Sequence, residues 1–328
     1  RGLTLEFEIH DNEIWLYPPV RQSGNKTIYV EEGVRNINDY RMKVASSTAV
    51  TFEQLKPSVR FVGNGSILPS TDGLILPFEA VNLKAIDLTV TRIFENNMLQ
   101  FLQVNNLEGN YDLNRVGRRL LKQKIQLDNK GITDLGKWNR YTLDLAKLIQ
   151  TDPGAIYQIS MSFKKAYGSY VCEGEEGNDG LAEIDDENLE EAPSYGEGRY
   201  EEEYYYDEDY DWEQRDNPCN SSYYTNARFI RKNVLASDFG LLAKRGNDGN
   251  TTVVVTDLKT TQPLGGVTLE FYDYQQQLLG TMTTSSEGKA LFESKDVPFA
   301  LIAKSGSQRG YLRLMDGESL SLSGFDVS

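Results

Sequence analysis

The sequence predicts an all-β chain of β-sandwich domains in series, interrupted by one acidic insertion. Three observations carry that reading. Short apolar–polar alternations recur along most of the chain between turn residues, the mark of strands that bury one face. No apolar helical periodicity persists beyond about two turns. Acidity is confined to one place: Glu173 to Asp216 holds 20 acidic and two basic residues, within a 328-residue chain of net charge −15.

Leu3–Ile9 alternates with period two, and Thr27–Val30 and Thr48–Phe52 repeat the pattern after turn-rich gaps. Residues 1–56 therefore read as a small or partial β-sandwich domain. Pro57 opens a second sandwich, residues 57–172. Val59–Val62 runs into a Gly63-Asn64-Gly65 turn, and Leu83–Phe94 is the strongest strand. Its apolar positions 86, 88, 90 and 93 imply a register change near its end, a bulge. Over Asn110–Gln126, Leu113, Val116, Leu120 and Leu121 have helical spacing that Gly117 interrupts, so a turn followed by a strand is expected. Asp144–Ile149 reads as one helical turn capped by Asp144 and stopped before Asp152-Pro153-Gly154. Ala155–Phe163 returns to strand alternation.

Residues 173–218 form the insertion, with Tyr195, Tyr200, Tyr204, Tyr205, Tyr206, Tyr210 and Trp212 among the acids. Its charge density and lack of apolar periodicity predict disorder or a loosely held loop. From 219 to 328 the strand pattern resumes: Phe239–Lys244, Val253–Asp257, Val267–Tyr272, Leu278–Thr284, Ala290–Phe292, Phe299–Ala303 and Tyr311–Leu314. About seven strands in about 100 residues make a complete sandwich.

The composition narrows the function. Outside Glu173–Asp216 the chain carries 29 acids and 32 bases, and no basic cluster on one face is evident, so nucleic-acid binding is not expected. No run of about 18 apolar residues exists, so no transmembrane segment is expected. The chain starts at Arg1 with no leader-like segment after it, and reads as a processed protein or an excised piece. His10 is the sole histidine, in a polar His10-Asp11-Asn12 stretch, and Cys172 and Cys219 are the sole cysteines. That set supplies neither four zinc ligands nor a Ser-His-Asp or Cys-His constellation. No enzyme activity, cofactor or metal is expected.

Local motifs give way to plainer readings. Asp238-Phe239-Gly240 spells a kinase metal motif without the Gly-rich loop, strand lysine or catalytic-loop His-Arg-Asp that must accompany it. Asp207, Asp209 and Asp211 echo the start of a calcium loop, but Trp212 stands at the invariant glycine and Pro218 at the closing glutamate, which excludes an EF-hand. Asn25, Asn64, Asn220 and Asn250 begin glycosylation sequons that matter only in a secreted eukaryotic protein. Cys172 and Cys219 bracket the insertion and are a candidate disulfide in an exported protein. Arg199 and Arg215 are the basic residues within it, hence candidate sites for trypsin-like cleavage of an exposed loop.

The third unit then becomes informative. Val255-Thr-Asp-Leu-Lys-Thr-Thr-Gln-Pro-Leu-Gly-Gly-Val-Thr-Leu-Glu-Phe-Tyr272 and Leu279-Gly-Thr-Met-Thr-Thr-Ser-Ser-Glu-Gly-Lys-Ala-Leu-Phe292 closely resemble macroglobulin-type domains of the bacterial alpha-2-macroglobulin family. In the second unit Leu55–Pro69, Leu76–Leu83 and Gln100–Gln103 resemble that family's large N-terminal portion. The resemblance is specific over 55–165 and 226–328, weaker over 1–54 and absent from the insertion.

Members are protease traps of serial macroglobulin domains, and many carry a Cys-x-Glu-Gln thioester. Here Cys172 precedes Glu-Gly-Glu and Cys219 precedes Asn-Ser-Ser, so thioester chemistry is not in this stretch. The resemblance implies a non-catalytic scaffold segment of an endopeptidase inhibitor. Its implied partners are proteases and further domains of the same longer chain, and its implied place is the bacterial periplasm or outer envelope, with or without a lipid anchor. The alternative is a surface binding or adhesion module that uses the Tyr-rich loop, because loops on rigid sandwiches carry recognition and Tyr and Trp are enriched at interfaces.

Overall fold

The computed structural model describes residues 5–172 and 210–314, apart from short breaks at 12, 20–21, 23, 64, 69–73, 129–133, 153 and 225–227. The expected all-β class holds across the described residues. The N-terminal unit consists of two hairpins, β1 (Glu6–His10) with β2 (Glu13–Tyr17) and β3 (Gly24–Val30) with β4 (Ser46–Phe52). Phe7 lies opposite Leu16 and Ile9 opposite Ile14, so the alternation does sort one face apolar. That face is nevertheless open, with Phe7 63% and Ile9 68% exposed. Among the described residues none before Pro57 is buried, so the expected small domain takes the form of ribbons. Two-stranded sheets have too little apolar face to build a core alone.

The second domain is a two-sheet sandwich. One sheet has the order β10-β7-β5, from β10 (Asn139–Asp144), β7 (Ile75–Val81) and β5 (Ser58–Phe61). The other runs β6-β12-β11-β8-β9, from β6 (Ile67–Leu68), β12 (Ile230–Ala236), β11 (Ile156–Ser162), β8 (Ala85–Ile93) and β9 (Gly117–Gln126). Two short helices, α1 (Met98–Val104) and α2 (Leu145–Leu148), complete it. Alternation on β8 sends Ile86, Leu88 and Val90 into the core with Phe78, Ile159, Met161 and Val234. Asp87, Thr89 and Thr91 therefore take the opposite face. Phe78 stacks on Tyr141 at 5.3 Å between centroids.

Two sequence readings change here. The register does shift, between Val90 and Thr91, where Leu120 of β9 is the extra residue. But Ile93 does not turn inward: it stays on the outer face and is apolar because the third domain covers it. The boundary at 219 also moves. Ile230–Ala236 pairs antiparallel with β11, Met161 opposite Ile230 and Ile156 opposite Leu235, so this strand belongs to the second domain and the third begins after it. The insertion is thus an excursion between two adjacent antiparallel strands, and both its feet leave from one end of one sheet.

The third domain has the seven expected strands: β13 (Phe239–Arg245), β14 (Thr251–Asp257), β15 (Thr268–Tyr272), β16 (Leu278–Thr283), β17 (Lys289–Phe292), β18 (Ala300–Ser305) and β19 (Gln308–Arg313). They form sheets β13-β14-β17 and β16-β15-β18-β19 around Val253, Val255, Leu269, Phe271, Leu301 and Ala303. Phe271 and Phe292 stack at 3.9 Å. Gly288 closes the Ser285–Gly288 turn at φ 70°, and a Cβ there would lie 2.4 Å from the Val255 carbonyl, so the backbone approach demands glycine.

Candidate functional site

The described residues assemble no catalytic constellation. His10 is exposed, its Nε2 3.0 Å from Glu8 and its ring 4.7 Å from that of Trp15. Among the described residues no group of His, Cys, Asp and Glu side chains is placed to hold a metal ion. Asp207, Asp209 and Arg199 lie outside the described residues. No helix among those described is long and apolar enough to cross a membrane.

What the fold does build is a junction. One end of the outer face of the five-stranded sheet presents Ile93, Ile156 and Leu235, flanked by Met98, Phe101 and Leu102 of α1. Against them pack Phe299, Ala300, Ile302 and Tyr311 of the third domain. A contiguous buried apolar contact of this kind resists domain motion, whereas the usual interdomain contact is more polar and yielding. Polar groups lock its rim. Arg309 Nε lies 2.6 Å from Glu95 Oε1, Gln103 donates to the Tyr274 carbonyl at 2.5 Å, and Arg313 donates to the Asn105 carbonyl at 3.1 Å.

At the centre Tyr311 donates its hydroxyl to the Gly154 carbonyl at 2.5 Å. Burial, reinforced by the Glu95 charge, pushes this phenol well above the ordinary tyrosine range. A Cβ on Gly154 would meet the Tyr311 oxygen at 2.9 Å and Arg309 Cγ at 2.4 Å. The turn residue read as a helix stop is also what admits the neighbouring domain. Beside it, Tyr272 is pushed up to about 12 by burial and by its hydrogen bond to Glu270. Burial opposes the Glu270 charge, but Lys304 at 2.8 Å and the Tyr272 hydroxyl outweigh it and lower the carboxyl.

A second assembly anchors the insertion. Cys172 and Cys219 are disulfide-bonded, their Cα atoms 5.7 Å apart. Around the bond, residues 210–224 and Arg228 fold into a small clasp on the linker that joins the hairpins to the second domain. Gln54 exchanges two hydrogen bonds with the Val171 backbone, Lys56 donates to the Asp216 carbonyl at 2.6 Å, and Tyr223 donates to the Pro57 carbonyl at 2.7 Å. Arg228 lies over the Tyr223 ring at 4.1 Å and bonds Asp216, which holds that carboxyl below the usual range. Arg215 closes a 3-10 turn, with its guanidinium over Trp212 at 4.3 Å and its carbonyl accepting from Arg228. It is a held residue rather than one in an open loop.

The strand register also gathers what the linear sequence scatters. Lys124 lies opposite Asp87, Lys122 opposite Thr89 and Arg119 opposite Thr91, while Arg231 of β12 shares a register row with Ser160 and Thr89. Four cations therefore share the outer face of one sheet. The expectation that no face carries a basic cluster does not survive, because three neighbouring residues of β9 are joined there by one from a strand more than a hundred positions on.

Comparison with known proteins fits this architecture. Residues 236–328 match the family model of the bacterial alpha-2-macroglobulin MG3 domain. No curated protein matches the chain. Among solved structures, a crystal structure of native alpha-2-macroglobulin from Escherichia coli spanning domains MG0-NIE-MG1 is 16% identical with a TM-score of 0.53, over 94% of this chain and 81% of that one. The cryo-EM reconstruction of the native conformation of E. coli alpha-2-macroglobulin is 17% identical with a TM-score of 0.54, over 94% of this chain and 16% of that one. The chain spans a small part of the intact E. coli protein, and the domain labels of the two kinds of match differ while the family agrees. The resemblance carried by Val255–Tyr272 and Leu279–Phe292 is thus upheld: the chain is similar to bacterial alpha-2-macroglobulins, in sequence over its third domain and in fold over nearly all its length.

Proposed function

We propose that the chain is a non-catalytic scaffold segment of an alpha-2-macroglobulin-like endopeptidase inhibitor. The observation that carries this reading is the buried junction of Phe101, Ile302 and Tyr311, which fuses two macroglobulin-like sandwiches into one stiff unit. A wall that encloses a protease needs domains that do not hinge freely, and a continuous apolar contact with a locked polar rim provides that stiffness. In this reading the chemistry of capture lies elsewhere in the intact protein, and these residues contribute wall and interdomain contacts. Its partners are proteases and the further domains of the same protein. It works in the bacterial periplasm or outer envelope, lipid-anchored or free, where an oxidising milieu suits the Cys172–Cys219 bond.

The test uses the intact protein from which the chain comes. Incubated with an active endopeptidase and passed over a sizing column, the intact protein should carry the protease into its own elution peak. Protease that elutes solely at its free position contradicts the reading.

A further inference from the structure

The outer face of the five-stranded sheet has two halves. Ile93, Ile156 and Leu235 at one end are sealed by the third domain. The other end holds Arg119, Lys122, Lys124 and Arg231 over a floor of Thr89, Ser160 and Ser162, which stay partly exposed; the row between, Thr91, Gln158 and Asn233, is covered where Asn233 donates to the Leu107 and Gly109 carbonyls. Among the described residues Asp87 is its one acid, and its carboxylate already accepts from the Tyr167 hydroxyl at 2.8 Å. Among the described residues, no carboxylate forms an ion pair with Arg119, Lys122 or Lys124.

We propose that this basic half-face is the docking surface for the chain's own acidic segment, residues 173–209. The charges are complementary: the segment carries 17 acidic residues and one basic residue, against four cations on the face. The topology brings the two together. The segment departs after β11 and returns before β12, at the end of the sheet where Ser162 pairs with Asp87 and Asp87 with Lys124. Lys165, just past that end of β11, donates to the carbonyl of Cys219 at 2.9 Å, so the disulfide sits beside the same end. Tethered at both feet, the segment meets the face at an effective concentration of about millimolar order, which makes individually weak pairs sufficient.

Edge charge alone is a weaker account. Lysine on an edge strand such as β9 guards against unwanted strand pairing. Arg231 is also at a margin of the sheet, since β6 pairs only with Leu235 and Ala236 of β12, but edge protection does not require cations on margins roughly 14 Å apart to share one face.

Zero-length carbodiimide crosslinking of the chain, read by peptide mass spectrometry, tests the proposal. Lys122 and Lys124 should crosslink to Asp and Glu within 173–209 several-fold more than the exposed Lys26 and Lys244 do. The excess should collapse near about 1 M salt, where screening reaches about 3 Å. Equal yields at all four lysines, or yields indifferent to salt, overturn it. So do crosslinks that join differently isotope-labelled copies, which would make the occupant a second chain. Independently, the surface variant R119E/K122E/K124E should be cut by trypsin at Arg199 several-fold faster than wild type. An unchanged rate, with a peptide substrate as the control for trypsin itself, overturns the proposal as well.

Discussion

Arg309 on β19 of the third domain reaches Glu95 of the second, with Nε 2.6 Å from the carboxylate oxygen. The pair closes the rim of the apolar contact beneath it, and its carboxylate adds to the burial that holds the Tyr311 phenol neutral. This contact makes two sandwiches one mechanical unit. The hairpins before Pro57, by contrast, are tied to that unit through the clasp on their linker.

The junction should behave as core. Phe101 is fully buried there, so Phe101→Ala should cost about 3–5 kcal/mol from lost transfer and an unfilled cavity. In a denaturant titration the second and third domains of the wild type should unfold together. The variant should separate them into two transitions. A variant that unfolds as late as wild type would show that Phe101 is not under load.

The disulfide should matter through the loop it closes, which spans a sequence separation of 47. Replacing both cysteines with serine should lower stability by about 2–4 kcal/mol, on the model in which the bond limits the unfolded chain. Chemical denaturation with and without reductant measures this, and the serine variant should be indifferent to reductant.

Alkaline pH should weaken the unit in a predictable window. Tyr272 is raised in the fold from 10.0 to about 12, so its contribution is complete below pH 10 and is lost as pH climbs through about 12. The stability advantage of wild type over Tyr272→Phe should be constant up to pH 10 and shrink beyond it. Parallel curves across that window would contradict the assignment.

Trypsin should distinguish the two arginines of the insertion. Arg215 is held by Trp212, Asp216 and Arg228, and proteases need several residues of yielding backbone. The first cut should fall at Arg199, and a first cut at Arg215 would show that the clasp opens readily. Peptide mapping over a short digestion decides it.

Much of this was legible in the residues. Seven strands of the third domain, the turn at Gly288, the single helical turn after Asp144 and the irregularity near Val90 all follow from local patterns. What stayed hidden depends on partners distant in sequence. The apolar character of Ile93 and of helix Met98–Val104 makes sense only with the third domain in place. Ile230–Ala236 is not among the strands that the local patterns mark, and its pairing with Ile156–Ser162 places it in the second domain. The basic face needed β12 laid three strands from β9. Nothing in Phe7, Ile9, Ile14 and Leu16 signals that a well-patterned hairpin would leave its apolar face open.

The most direct test of the scaffold account follows residual activity of an endopeptidase bound by the intact protein, on a large protein substrate and on a small peptide. The account predicts loss against the large substrate with the peptide still cleaved, because the protease is enclosed rather than blocked. Equal activity on both substrates would contradict it.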